Sequence, residues 1–206
     1  MRKIKRPNIS VKPREIFYHL KRKKQIFDLN EERIASELES YKPAALIDPG
    51  CVFASIGRED DGIELLLDTA SASPWRGLKP RSITCAVATI GDRGFEAKLT
   101  AKPSNIVWAW AEVYLNKLTD LADDLIGKEA AAESLETGPW ALVNVAGSGE
   151  FWSFVQVELD PCQKLGIKVS GGVDGGELEI VPALSRVWLV PWLSKKEKKK
   201  LQVQPV

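Results

Sequence analysis

The chain has 206 residues, of which 44% are hydrophobic and 28% charged, and its formal net charge is +1. This length can bury a core within one large domain, the composition excludes an intrinsically disordered chain, and the near-zero charge excludes a global field that would gather nucleic acid or an anionic membrane surface. Three cysteines, Cys51, Cys85 and Cys162, are odd in number and form no CxxC pair, which predicts reduced thiols in a cytoplasmic protein and argues against a disulfide framework or a zinc site.

Basic residues crowd both ends: Arg2, Lys3, Lys5, Arg6 and the run 21–24 near the N-terminus, and Lys195, Lys196 and Lys198 to Lys200 near the C-terminus. Short charge runs of this kind predict solvated helix faces, with residues 195–206 as a frayed basic tail on a single domain spanning 1–194. The sharper alternative is a docking surface for an acidic partner. No apolar h-region follows the basic N-terminus, and no apolar run reaches the length of a membrane span.

Pro13 and the REIFYHL that follows predict a first helix, with Ile16, Phe17 and Leu20 on one face. Asn30 is placed to cap a second helix whose first turn carries Glu31 and Glu32, with Ile34, Leu38 and Tyr41 inward. Beyond them AALI, CVFASIG and GIELLLD predict short strands, separated by Asp48-Pro49-Gly50 and by the charged turn from Arg58 to Gly62, and therefore antiparallel. SITCAVATIG is unbroken in its apolar character and predicts a central strand buried on both faces. Ser104 is a candidate cap for a long core helix through Ile106, Trp110, Val113, Leu118, Leu121 and Leu125, which Gly127 could divide. WALVNVAG, FVQVELD, LGIKVSGG, ELEIVPAL and RVWLVPW predict further strands around glycine-rich turns. The sum is an α+β fold: a mostly antiparallel mixed sheet with a long core helix and N-terminal helices packed on it.

Most candidate chemistry has a plainer structural reading. Gly91-Asp92-Arg93-Gly94 follows a strand and precedes a helix, as a phosphate loop does, but it lacks the Gly-Lys-Ser/Thr ending and the third glycine of a dinucleotide fingerprint. Asp92 would also repel a phosphate, so a structural turn is expected. His19, the only histidine, is expected at a solvent-edge helix position, and Glu59, Asp60 and Asp61 at a turn where they fan apart. Among seven tryptophans, Trp108 and Trp110 sit two apart on one helix and cannot both face the core. Trp140, Trp152, Trp188 and Trp192 could pack the core or form a slot for a flat ligand around the late glycine turns. The stretch AGSGEFWSF, residues 146–154, reads as a loop. Its small residues would let a ligand approach the backbone, Glu150 could hold a hydroxyl or an ammonium, and Phe151 and Trp152 could stack on a ring.

Five segments taken in order carry a resemblance: REIFYHL, PAALIDPGCVFASIG, CAVATIGDRGFEAKL, the long helix, and LDPCQKLGIKVSGG followed by ELEIVPALSRVWLV. In the last pair the informative positions are Leu159, Asp160, Gly166, Ile167, Val169, Pro182 and Ser185. The chain resembles the activation domain of cobalamin-dependent methionine synthase and its free-standing relatives in corrinoid methyltransfer systems. The resemblance implies an accessory protein that binds S-adenosylmethionine, or a related small molecule, in an open cleft and docks to a separate corrinoid protein or corrinoid methyltransferase that carries the cobalamin. The implied ligand site is Asn144, Gly147, Ser148, Gly149, Glu150, Trp152 and Ser185, and residues 88–99 become architecture. His19 lacks the Asp-x-His-x-x-Gly setting of a cobalt-ligating histidine. The chain departs from the family at Asn144 to Gly149, which holds neither the arginine nor the Pro-Gly-Tyr turn of the family's ligand loop. A charge-assisted contact of that kind contributes roughly 1.5 to 3 kcal/mol. A non-catalytic interaction module that kept the fold and lost the ligand is therefore the alternative expectation. Nucleic acid is not an expected partner, because the basic residues are terminal and not interleaved with an aromatic platform.

Overall fold

The computed structural model describes residues 1–25, 29–60, 62–69, 78–143, 149–170 and 179–201. Strand β1 (Arg2–Lys5) is followed by helices α1 (Pro13–Arg22) and α2 (Glu31–Tyr41). Pro13 begins α1, where its missing N–H costs nothing, and the Asn30 side chain accepts the Arg33 N–H at 2.8 Å to cap α2. After β2 (Gly50–Gly57), α3 (Gly62–Thr69), β3 (Ser82–Thr89) and α4 (Phe95–Ala101) comes the long helix α5 (Asn105–Ala132). Ser104 caps α5 by accepting the Val107 N–H at 3.1 Å, and the helix runs through Gly127 without a break. The rest is β4 (Glu136–Thr137), β5 (Ala141–Leu142), α6 (Gly149–Leu159), α7 (Pro161–Leu165), β6 (Lys168–Ser170), β7 (Glu179–Val181), β8 (Ser185–Leu193) and α8 (Lys195–Leu201).

Six strands form one antiparallel sheet in the order β1-β2-β3-β8-β4, with β5 also pairing with β8, while β6 and β7 pair separately. Alternation along the strands divides the side chains between two apolar layers. Cys51, Phe53, Ala86, Ala88, Trp188 and Trp192 face α1, α2 and α5, while Val52, Ala54, Cys85, Val87, Val187 and Leu189 face α3 and α6. Helices on both sides explain why β3 reads as an unbroken apolar run, and its place between β2 and β8 makes it central, as expected. The α+β fold, the antiparallel sheet and the long helix all agree with the sequence reading. Among the described residues, no helix is long and apolar enough to cross a membrane.

Several elements differ from that reading. GIELLLD is helix α3, which buries Ile63 and Leu66 three residues apart, so the antiparallel pairing of β2 with β3 is not made by a tight hairpin. With Asp160 capping α7, FVQVELD falls in helix α6 up to Leu159. Its alternating valines mimic a strand, but the buried Phe151, Val155 and Leu159 recur every four residues and Val157 is 80% exposed. AALI falls largely in a 3₁₀ turn, Pro43–Leu46, which follows Lys42 at a φ of +53°. Residues 195–201 form α8 rather than a frayed tail: Lys198 Nζ pairs with Glu136 at 2.7 Å, and Glu197 accepts the Lys79 N–H at 3.2 Å.

His19 is also not at the solvent edge. It is 9% exposed on the inner side of α1, and its Nε2 donates to Glu112 Oε2 of α5 at 2.7 Å, with Lys23 Nζ at the same distance. Burial raises the Glu112 pKa, but Lys23 and His19 outweigh it and hold the carboxyl below the usual glutamate range. A depressed pKa means that this contribution is fully present above the unfolded-state value and is lost as pH falls through the folded one. Glu112→Gln should cost about 1 kcal/mol at neutral pH, discounted for the exposure of Lys23. The difference from wild type should shrink in acid, as read from urea midpoints across pH.

Candidate functional site

The ends of β2, β3 and β8 meet at a corner built by backbone hydrogen bonds. The Asp48 N–H donates to Ile90 O at 2.9 Å, the Ile90 N–H to Leu184 O at 3.2 Å, and the Arg93 N–H to Leu46 O at 2.8 Å. Ser185 opens β8 opposite Thr89. Its hydroxyl donates to Pro182 O at 2.7 Å and lies 2.8 Å from Thr89 Oγ1, which accepts the Gly91 N–H at 3.0 Å. Ser185 thus ties the β7–β8 connection to the Gly91 turn.

The turn itself is architecture, as expected. Asp92 Oδ1 accepts the N–H of Gly94 at 2.8 Å and of Glu96 at 3.3 Å, so its carboxylate occupies the start of α4 where a phosphate would have to sit. Gly91 and Gly94 have φ values of +65° and +95°.

A cleft of about 440 Å³ opens beside this corner. It is walled by Asp48 to Gly50, by Gly91 to Arg93, by 163–166 of α7 and its cap with Lys168, and by Val181-Pro182. Segments more than 100 residues apart in the sequence therefore share one concavity. Arg6, by its 2.6 Å contact, holds the Asp48 carboxyl below its usual range against the opposing effect of burial, and Arg93 assists from 3.2 Å. The lining residues Lys5, Lys164 and Lys168 were not legible in the sequence as a group, because no local pattern joins positions so far apart.

The remaining predicted residues lie elsewhere. Gly149 begins α6, and Glu150 is exposed in its first turn. Residues 149–154 are therefore helix, where a loop was expected. Trp152 is 8% exposed and packs in the layer under β2 and β8 with Phe151. Asn144, Gly147 and Ser148 fall outside the described residues. Val143, just before them, donates its N–H to Val187 O at 3.0 Å, two residues along β8 from Ser185. Trp188 and Trp192 lie on the α5 face and Trp152 on the other, so the sheet separates them and they form no common slot. Trp110 is 6% exposed and Trp108 37%, the division that their spacing required.

No cysteine chemistry is offered in the core. Cys51 and Cys85 face opposite layers, and burial pushes the Cys85 thiol up to about 12 and the Cys51 thiol higher still. Asp60 accepts the Gly57 N–H at 2.6 Å within its turn. No cluster of three or more His, Cys, Asp or Glu among the described residues could hold a metal ion. No protein-family model matches the chain, and no curated protein matches it.

Proposed function

We propose that the chain is an accessory protein of corrinoid-dependent methyl transfer, binding S-adenosylmethionine or a related small molecule in an open cleft and docking to a separate protein that carries the cobalamin. The observation that supports this reading is the agreement of order and architecture. The opening helix α1, β2, the strand-turn-helix, the long helix and the closing pair into β8 follow the succession of the resembling segments within an α+β fold. Glu150, exposed at the start of α6, suits the ammonium of the ligand's methionine moiety. When bound, S-adenosylmethionine would supply a methyl group. The residues here would hold and orient it. His19 is committed to Glu112, so the cobalt and its lower ligand belong to the partner.

Calorimetric titration of the full chain with S-adenosylmethionine tests the ligand half of this reading. Saturable heat is expected below millimolar ligand, with Glu150→Gln weakening binding roughly tenfold through loss of one charge-assisted contact. Folded protein that gives no heat at millimolar ligand would remove it. The second reading, an interaction module without a ligand, is favoured by the absence of the family's arginine between 144 and 149 and by the burial of Trp152. Under either reading a corrinoid protein should be retained on the immobilised chain. Retention that fades as salt rises assigns the docking to the basic termini.

A further inference from the structure

The cleft between the start of β2, the Gly91 turn and α7 has a chemistry of its own. Its two carboxylates are already neutralised or occupied: Asp48 lies between Arg6 and Arg93, and Asp92 accepts two amide N–H groups of α4. Its ammonium groups are not. Lys5 and Lys168 make no side-chain hydrogen bond or ion pair among the described residues, and Lys164 Nζ reaches the Leu159 carbonyl at 2.9 Å and the Met1 sulfur but no carboxylate. Three lysines thus border one concavity, none of them paired with a carboxylate among the described residues. The chain has brought them together from β1, α7 and β6.

Close backbone packing builds the walls of this space. A Cβ on Gly91 would lie 2.3 Å from Asp48 O, and one on Gly50 would lie 2.7 Å from Leu165 Cδ2. Glycine at both positions lets the strand ends approach α7 and the turn closely enough to form a wall. The volume of about 440 Å³ is within the range of small-molecule sites, larger than one inorganic ion needs. A sulfonium would be repelled by three ammonium groups, so this cleft is distinct from the site proposed for S-adenosylmethionine.

We propose that the cleft beside Gly50, Gly91 and Gly166 binds the phosphate or carboxylate group of a small anionic molecule, held by Lys5, Lys164 and Lys168. Ammonium groups along the lining recognise a compact anion as point charges and leave its remainder to the cleft walls.

The experiment is amide chemical-shift titration of the full chain with inorganic phosphate and, separately, acetate, with total ionic strength held constant by sodium chloride. Saturating shifts are expected at Gly50, Gly91 and Gly166. The double variant Lys5→Ala/Lys168→Ala should raise the dissociation constant about tenfold or more. Lys196→Ala/Lys199→Ala, which removes two charges from α8, should leave it unchanged. Tighter binding of phosphate assigns a phosphorylated ligand, and tighter binding of acetate a carboxylate. Shifts that stay linear to high anion concentration, or that survive in the cleft variant, or that fall equally in the α8 variant, would overturn the proposal. None of these outcomes depends on whether S-adenosylmethionine binds.

Discussion

Gly91→Ala is expected to destabilise the protein by about 3 kcal/mol or more, the sum of a left-handed backbone penalty of roughly 1 to 2 kcal/mol and a steric clash that cannot relax. Gly91 has a φ of +65°, and its added Cβ would lie 2.3 Å from the Asp48 carbonyl oxygen and 2.8 Å from its carbon. Those are backbone atoms, so no side-chain rotation relieves the overlap. Asp48 is itself held by its N–H bond to Ile90 O and by the Arg6 and Arg93 guanidinium groups. Gly94 supplies the control, since its φ is +95° but nothing lies within 4 Å of where its Cβ would be. Gly94→Ala should therefore lose only the conformational part, about 1 to 2 kcal/mol. Urea midpoints of the two variants measure the difference, and equal losses would show that the turn does not press on Asp48 as described. The Gly91 variant should also blunt anion binding in the neighbouring cleft, because Asp48 and Arg93 are parts of its wall.

The same stretch shows what was legible in the sequence and what was not. The Gly91–Gly94 turn was read as architecture from its incomplete phosphate-loop pattern and the charge of Asp92, and the carboxylate does sit on the amides that a phosphate would need. Local signals of that kind worked wherever one residue decides: Asn30 and Ser104 as caps, and Trp108 against Trp110 on a single helix. They failed where two periods fit one run. GIELLLD and FVQVELD are short and apolar enough for either state, and the layer facing α3 and α6 decided for helix because the second face of the sheet needed a cover. His19 was misplaced for a related reason. Its neighbours in sequence are basic, but its partner Glu112 is on another helix, 93 residues away. Of the predicted site residues, Ser185 lies at the corner and Glu150 is exposed in the first turn of α6, while Trp152 was drawn into the core by the same apolar spacing that makes α6 a helix. The three-lysine cleft carries no local signal, since its members become neighbours only when β1, α7 and β6 converge.

Trp188 should be the most costly single side chain to remove, and the form of the loss should depend on pH. Its ring is fully buried against α5, and its indole N–H donates to Asp123 Oδ1 at 2.8 Å. Trp188→Ala should cost about 3 to 5 kcal/mol through lost burial and the cavity left behind. Trp188→Phe separates the polar part, because it keeps most of the apolar ring and deletes the donor. Burial raises the Asp123 pKa, the Trp188 hydrogen bond opposes that rise, and the neighbouring Asp120 and Asp124 add to it. An acid whose folded pKa is raised holds its proton more tightly in the folded state, so Asp123 favours folding below the usual carboxylate range. That advantage is lost as pH climbs through the window between the unfolded and folded values. In Trp188→Phe the opposing hydrogen bond is gone, and the folded value moves higher still. The smaller ring leaves a loss that is the same at every pH, while the part due to Asp123 should be small in acid, where it is protonated in both proteins, and should grow by about 1 to 3 kcal/mol once it is ionised without that donor. Glu112 should show the same rise of penalty with pH for the opposite reason, since its pairing with Lys23 and His19 is what ionisation makes possible. Urea denaturation of Trp188→Phe across the carboxylate range measures the effect directly. A penalty independent of pH would mean that Asp123 is not what the indole N–H holds in place.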